Sequence, residues 1–465
     1  MLRTHIFQSA ISCIGMSLLT CSLGYAQTGA PPKPPTPNQA AAAAYANKVC
    51  ALLPDVATSA EATGLTPGEQ DLAQDCLFLR NLPAGAFPAI LGQQINALGP
   101  QTKKFGSLQQ DNLTARLAEL RHGVTGASIA GLVITDDQGR IVSNGHSQLS
   151  DFLPIGASGD DNGAWLDGRL GVFVNGDVQV GSKRASKNSF AFDIKDDSVT
   201  AGADYRVGQR FVFGAAYGSG KTTTDFANSL GRLDMTAKGV NLYGSFYGPG
   251  FYVDSLVGYG EPRLNTDRYL NASSAGSPGL GAIDQQAFGS THLHDLWAGT
   301  SIGRPFDWGA FDLTPEGSLN YHEVRLSEFS ETMSDPSAPG SGLALRYGNA
   351  TVPSLQARAG LRGAYTLSTS WGVIQPDAHA TWIREFRNHP DDFTTQFVNA
   401  PSTASGLWTT LQTDPPEGHY TAYGAGVLFQ LAHRISGFFE YEELRTLKTI
   451  KSHEFSMGVR YQVGM

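Results

Sequence analysis

From about Gly163 onward, apolar residues recur at every second position. In the last segment Phe455, Met457, Val459, Tyr461, Val463 and Met465 alternate with Ser456, Gly458, Arg460, Gln462 and Gly464. Val199, Ala201, Ala203, Tyr205 and Val207 alternate in the same way with Thr200, Gly202, Asp204 and Arg206. The pattern returns through Phe311–Tyr321 and Leu355–Leu361. Side chains of a strand point to opposite faces in turn, so a period of two marks strands with one apolar face. A soluble sandwich shows this period as well, and length separates the two cases. These runs extend over about ten to fifteen residues, whereas globular strands usually have about five or six. Charged residues on the alternate face suit a hydrated lumen, with the apolar face turned to lipid.

Twelve strands are predicted, near 163–179, 189–206, 209–220, 232–248, 250–264, 286–304, 308–325, 342–367, 371–387, 419–431, 436–446 and 452–465. Tight turns at 208–209, 249, 306–307, 368–370 and 433–434 alternate with longer loops at 221–231, 265–285, 326–341 and 388–418. An even count closes the sheet, so no backbone edge faces hydrocarbon. Aromatic residues near strand ends, such as Tyr243, Phe246, Tyr247, Phe251 and Tyr252, suggest interfacial girdles. The expected fold is therefore a 12-stranded antiparallel transmembrane β-barrel, all-β, after a small mainly helical N-terminal region.

The N-terminal third has a different pattern. Residues 1–26 carry Arg3, an apolar run from Ile11 to Leu23 and small residues before Gln27, which predicts a secretory signal peptide. Residues 27–38 form a Pro-rich linker. Residues 39–122 read as helical: an Ala-rich helix over 39–53, a second helix after Thr66, and a third over 109–121 through Leu113, Leu117 and Leu120. Thr66, Pro67 and Glu69 compose a capping box with proline at the first helical position. The stretch 129–142 reads as a hairpin, and 123–162 as hairpin plus linker before the barrel at 163–465.

Composition narrows the picture. Only 16% of residues are charged, 54 are glycine, and the net charge is −9. That mild acidity speaks against nucleic-acid binding. Cys50 and Cys76 remain after the signal peptide departs, and an even pair in an exported chain predicts a disulfide joining the first two helices.

Several stretches, in this order, resemble the translocator domain of autotransporters, the type V secretion family. They are Gly163-Ala164-Trp165, Ala201 to Arg206, Asn241 to Phe246, Tyr321 with Phe329 and Glu331, Pro376 with Trp382, Glu385 and Phe386, and Phe439 to Glu442. The resemblance implies an outer-membrane barrel that exports or displays its own N-terminal segment. It implies as partners outer-membrane lipid, the inner-membrane secretion translocon, periplasmic chaperones and the barrel-assembly machinery. That machinery reads the apolar C-terminal strand, here Phe455, Met457, Val459, Tyr461, Val463 and Met465. The chain departs from the family in ending that strand on methionine, in its short segment before the barrel, and in the hairpin between helix 109–121 and Gly163. The family's pore-filling helix leads directly into the first strand, so the segment filling this lumen is left open by sequence.

Candidate chemistry is sparse. Gly218-Ser219-Gly220-Lys221-Thr222 has the look of a phosphate loop, but Ala215 stands where the first glycine belongs and no helix is predicted after it. His292 and His294, spaced to share one face of a strand, form a metal site with His322 and His379 only if three strands bring them together. Arg358, Arg362, Glu385, Glu440, Glu442 and Arg460 are assigned to the lumen, with Arg358, Arg362, Glu440, Glu442 and Arg460 contacting the chain inside it. No esterase elbow occurs. The expectation is a monomer without cofactor, metal or catalysis, working as a translocator. Alternatives are a passenger-less adhesin-like barrel and an outer-membrane enzyme such as a phospholipase.

Overall fold

The computed structural model describes residues 35–54, 64–82, 87–121, 127–129, 134–135, 141–143, 170–272, 282–370, 372–431, 435–445, 447–448 and 450–461. The signal peptide, the connection over 154–162, Gly163 to Trp165, and Val463 and Met465 lie outside these residues.

Twelve antiparallel strands form a closed ring. They are β1 (Leu170–Lys183), β2 (Phe192–Val207), β3 (Phe211–Phe226), β4 (Gly231–Gly248), β5 (Phe251–Gly260 continued by Arg263–Ala272), β6 (Ile283–Gly303), β7 (Phe311–Leu326), β8 (Ala350–Tyr365), β9 (Gly372–Glu385), β10 (His419–Leu431), β11 (Ile435–Arg445) and β12 (Ile450–Tyr461). The ring closes where β12 meets β1, in the register Phe455 with Val178 and His453 with Val180. Tight turns at one end use left-handed glycines, Gly208 at φ 61° and Gly250 at φ 75°, a conformation that residues with a Cβ seldom adopt.

The faces of the strands sort as the alternation requires. Ala201, Ala203 and Val207 on β2 are exposed, whereas Thr200 and Asp204 on its alternate face are buried. Leu242 is 63% and Phe213 55% exposed. Together with Val240, Ile302, Leu319, Leu361, Tyr423, Phe439 and Phe455 they give an outward apolar band. At the tight-turn end, Phe211, Phe246 and Phe251 follow one another as tilted rings on the outward face, with centroids 4.9 and 5.9 Å apart. Tyr243 and Tyr252, expected in that girdle, instead turn inward and are buried. Tyr243 donates a hydrogen bond to Asp204 (3.2 Å) and Tyr252 one to Glu316 (3.2 Å). The period of two puts Tyr243 and Phe246 on opposite faces, so an aromatic cluster in sequence divides between lipid and lumen.

The long connections differ from expectation. Within 326–341 and 388–418 lie strands Phe329–Met333, Asp392–Phe397 and Thr409–Gln412, and Leu345–Tyr347 lies within the stretch expected to begin the eighth barrel strand. These four pair in sequence into a small sheet beyond the barrel. β5 and β6 also extend past the barrel as a long hairpin, using residues expected in the 265–285 loop. Some of these partners are remote in sequence, as Leu345 is from Phe397, which local composition does not show.

Among the described residues three longer helices precede the barrel: α1 (Pro37–Ala51), α2 (Pro67–Leu79) and α3 (Lys104–Arg121), with short helical turns between the last two. Both α1 and α2 start at a capping box with proline in the first turn, on Thr36 with Gln39 and on Thr66 with Glu69. Cys50 and Cys76 are disulfide-bonded, with Cα atoms 5.5 Å apart, tying α1 to α2. Strands Ile134–Thr135 and Ile141–Ser143 pair as the predicted hairpin.

α1 and α2 dock on the loop sheet through specific polar contacts. Asn38 and the backbone of Gln412 exchange two hydrogen bonds (2.9 and 3.0 Å). The Tyr45 hydroxyl accepts from the Phe397 amide (2.8 Å). Asp75 accepts from the amides of Gly340 (2.7 Å) and Gly342 (2.9 Å). Burial pushes the Asp75 carboxyl up to about 6, against those two amides, which favour the charged form. A raised acid favours folding most where it is protonated in both states. Its contribution is thus complete below the ordinary value of 3.8 and fades as pH rises through about 6.

Two outcomes are expected for this docked segment. Lowering pH from 7 to 5 stabilises it in the wild type but less in Asp75→Asn, as read by the melting of helical circular dichroism. Replacing Cys50 and Cys76 by alanine lowers its stability by about 3 kcal/mol through the freed loop, seen as faster proteolysis of residues 37–121 with the barrel intact.

Candidate functional site in the barrel lumen

The lumen is occupied by α3. Among its buried positions, Phe105, Gln109, Asn112, Leu113, Arg116, Leu117 and Leu120 follow helical spacing and share one face, while Leu108 and Gln110 are buried beside it. That face lies against β1 to β6. Leu113, Leu117 and Leu120 pack with Phe173, Val212, Ala216 and Tyr243. Phe105 meets Trp297 edge-on, with ring centroids 5.6 Å apart.

Polar contacts set the helix in one position along the wall. Arg116 gives two hydrogen bonds to Asp204 (2.8 and 3.2 Å), and its guanidinium lies 5.2 Å from the Phe173 ring centre. The arginine side chain is 0% and the aspartate 3% exposed. Gln109 accepts from Thr200 (2.9 Å) and Asn241 (3.2 Å), and Asn241 accepts from the Trp297 indole (2.9 Å). Asn112 donates to Ser198 (3.2 Å), and its carbonyl accepts from Asn175 (2.9 Å). Lys104 reaches Gln179 (2.7 Å). At the tight-turn end Arg206 donates to the carbonyl of Leu120 (3.1 Å), filling an acceptor that the last helical turn leaves open. Buried polar groups are costly unless partnered, so this set of contacts selects a single register.

The glycines of the phosphate-loop look-alike serve the same packing. Residues 218–222 lie inside β3, which is followed by a three-residue 3-10 turn at Ala227–Ser229 and then β4, not by the α-helix a phosphate loop needs. A Cβ on Gly218 would sit 1.8 Å from the Gln109 side chain, so glycine there lets the helix approach the wall.

The residues assigned to the lumen by sequence divide into two groups. Arg358, half-buried, reaches Asp111 on α3 at 4.0 Å. Arg362 does not meet the helix residues; it bridges Asp377 (2.8 Å) and Glu440 (3.0 Å) across the wall. Glu442 pairs with His379 (3.0 Å), which lies 3.4 Å from Glu440. Glu385, expected only to line the lumen, accepts from Ser354 (2.5 Å), the Leu355 amide (3.0 Å) and the Arg387 amide (2.9 Å). Among the described residues, the ion pairs of Arg362, Glu440 and Glu442 thus lie within the wall and not with the enclosed chain: Arg362 to Asp377 joins neighbouring strands, whereas Arg362 to Glu440 and His379 to Glu442 reach past intervening ones. Arg460 lies on β12, its side chain outside the described residues, as are those of Met457, Val459 and Tyr461. Sequence reasoning missed Arg116 and Asp204. The available signal was an acidic residue among small ones on the inward face of β2.

The four histidines do not converge. His292 and His294 point outward on β6, whereas His322 and His379 are buried inward. Asp377, His379 and Glu440 do bring ligand atoms within 4.8 Å of one another. Arg362 donates to both carboxylates, so a fixed positive charge already stands where a cation would act.

The Autotransporter beta-domain family model matches residues 172–442, more than half of the chain. The chain belongs to the autotransporter family. Among solved structures, the translocator domain of the autotransporter NalP from Neisseria meningitidis is 19% identical, covering 63% of this chain and 89% of that one with a TM-score of 0.48. The beta domain of the Bordetella autotransporter Brka is 15% identical, covering 63% and 99%, with a TM-score of 0.40. The transport unit of AIDA-I from Escherichia coli is 12% identical, covering 63% and 90%, with a TM-score of 0.37. No curated protein sequence matches the chain. As an autotransporter barrel, the protein resides in the outer membrane, and the apolar band is its lipid-facing surface.

Breaking the buried Arg116–Asp204 pair by Arg116→Met is expected to cost about 3–5 kcal/mol, because it strands a buried carboxylate. Thermal unfolding of the detergent-solubilised autotransporter measures this. Adding Asp204→Leu in the same chain should recover much of the loss.

Proposed function

We propose that this autotransporter barrel displays its own N-terminal segment at the cell surface and keeps it there as a docked cap. The path of the chain supports this reading. α1 and α2 sit at the long-loop end, α3 runs down the lumen to Arg206 near the tight turns, and β1 begins at that same end, with Leu170 opposite Tyr205. Tight turns mark the periplasmic side of such barrels and long loops the outer side. The described residues among 37–103, α1 and α2 included, therefore stand across the membrane from the start of the barrel.

The contacts around the segment favour retention over release. Arg268 of β5 and Glu331 of the loop sheet form a buried pair, and Arg268 also donates to the carbonyls of Ile90 (2.9 Å) and Leu343 (3.0 Å). Gln94 reaches the carbonyl of Leu230 (2.9 Å), and Asn96 those of Asn188 (2.8 Å) and Gln412 (2.9 Å). Segment and loops share one apolar core, including Val49, Leu72, Leu79, Leu91, Leu345, Phe393 and Phe397. Separating them would expose that core on both sides. The displayed surface is thus composite, built from loops and segment together, and its work is physical rather than catalytic. Barrel-assembly machinery, periplasmic chaperones and the inner-membrane translocon are the partners this route requires, with the monomer as the working unit.

Labelling of Lys48, exposed on α1, decides the matter. A membrane-impermeant amine reagent applied to intact cells should modify Lys48 as fully as it modifies Lys448, read by peptide mass spectrometry. Modification of Lys48 only after the outer membrane is ruptured would reverse the proposed orientation.

A further inference from the structure

On the outward face of β9, Arg384 stands between Trp382 and Phe386, which are 45% and 47% exposed. Directly across the sheet Arg384 pairs with His419, the first residue of β10. These side chains, with Glu385, Asn388 and Gly418, line a recess of about 360 Å³ at the long-loop edge of the apolar band, a size within the range of small-ligand sites. The Arg384 guanidinium lies 5.2 Å from the Phe386 ring centre.

The charge in this recess is one-sided. The acid in its lining, Glu385, is 4% exposed and spends its oxygens on Ser354, Gln356 and the amides of Leu355 and Arg387. Among the described residues no ion pair is formed by Arg384, whereas other exposed arginines do pair, Arg325 with Glu323 (2.7 Å) and Arg445 with Glu443 (2.8 Å). A guanidinium held over an aromatic ring at the membrane interface, with a ring nitrogen from the next strand beside it, offers convergent donors to an anion. Trp382 and Phe386 flank it with surfaces suited to the boundary between headgroup and acyl chain.

We infer that Arg384 and His419 bind the phosphate of an outer-leaflet glycolipid headgroup, with Trp382 and Phe386 against the first part of its acyl chains. The inference rests on the outer-membrane location and the long-loop end facing outward; it does not depend on export of the N-terminal segment. A fixed anionic lipid here would brace β9 and β10 where they diverge into the loop over 388–418.

The test counts bound lipids by native mass spectrometry on the full chain in neutral detergent, with lipid A, phosphatidylethanolamine and inorganic phosphate as probes. Wild type should retain one lipid A at a concentration about tenfold lower than the Arg384→Gln/His419→Gln variant does, a difference befitting charge-assisted hydrogen bonds. Arg384→Lys should recover part of it, and phosphatidylethanolamine should show no difference. Equal lipid A retention in wild type and the double variant would overturn the inference. So would equal retention of phosphatidylethanolamine by the wild type, or displacement of lipid A by inorganic phosphate at matching concentration, which would mark a site for free anions. If the double variant does not fold, the wild-type preference for lipid A over phosphatidylethanolamine still decides.

Discussion

A peptide group in hydrocarbon has no water to bond with, and this constraint organises the whole molecule. It demands that every strand find a neighbour on both sides, which a closed ring of twelve achieves by joining β12 to β1. Closure turns the ordinary arrangement of a protein inside out. Phenylalanine, leucine and valine lie outside, and aspartate, asparagine and arginine lie within. It also leaves a lumen wide enough to need filling, since a barrel of this size cannot close on its own side chains.

The lumen is filled on one side more than the other. α3 presses its apolar and amide-bearing face on β1 to β6, where Gly218 leaves room for it. The opposite wall is held by charge instead: Arg362 with Asp377 and Glu440, and His379 with Glu442. Arg358, reaching across to Asp111, is where the two systems meet. The first system selects the position of the helix, and the second stiffens the wall away from it. Beyond the lumen, the N-terminal helices and loop strands bury each other, so pore helix, cap and loops form one connected unit.

Much of the barrel was legible because a period of two sustained over long runs admits few alternatives. The strand His419–Leu431 falls where the alternation places it, and Thr66 with Glu69 caps α2 as their spacing requires. These features are local, decided by neighbours a few positions apart. The loop strands were not legible. Phe329–Met333 pairs with β6 and Leu345–Tyr347, and Asp392–Phe397 finds its partners only after the chain has returned. Glu331 illustrates the same limit: next to serine and threonine it reads as an exposed loop acid, yet it is buried against Arg268 and Tyr347.

By itself the sequence determined that the chain makes a lipid-facing barrel with helices before it and a disulfide between two of them. Residue type and spacing carry that information, because lipid selects one face of each strand and capping residues start each helix. Only the tertiary structure decided which helix fills the lumen, which charges touch it, and on which side of the barrel the N-terminal segment lies. Those outcomes depend on pairs such as Arg116 with Asp204 and Tyr45 with Phe397. Their members are far apart in the chain, and closure of the ring is what brings them into reach.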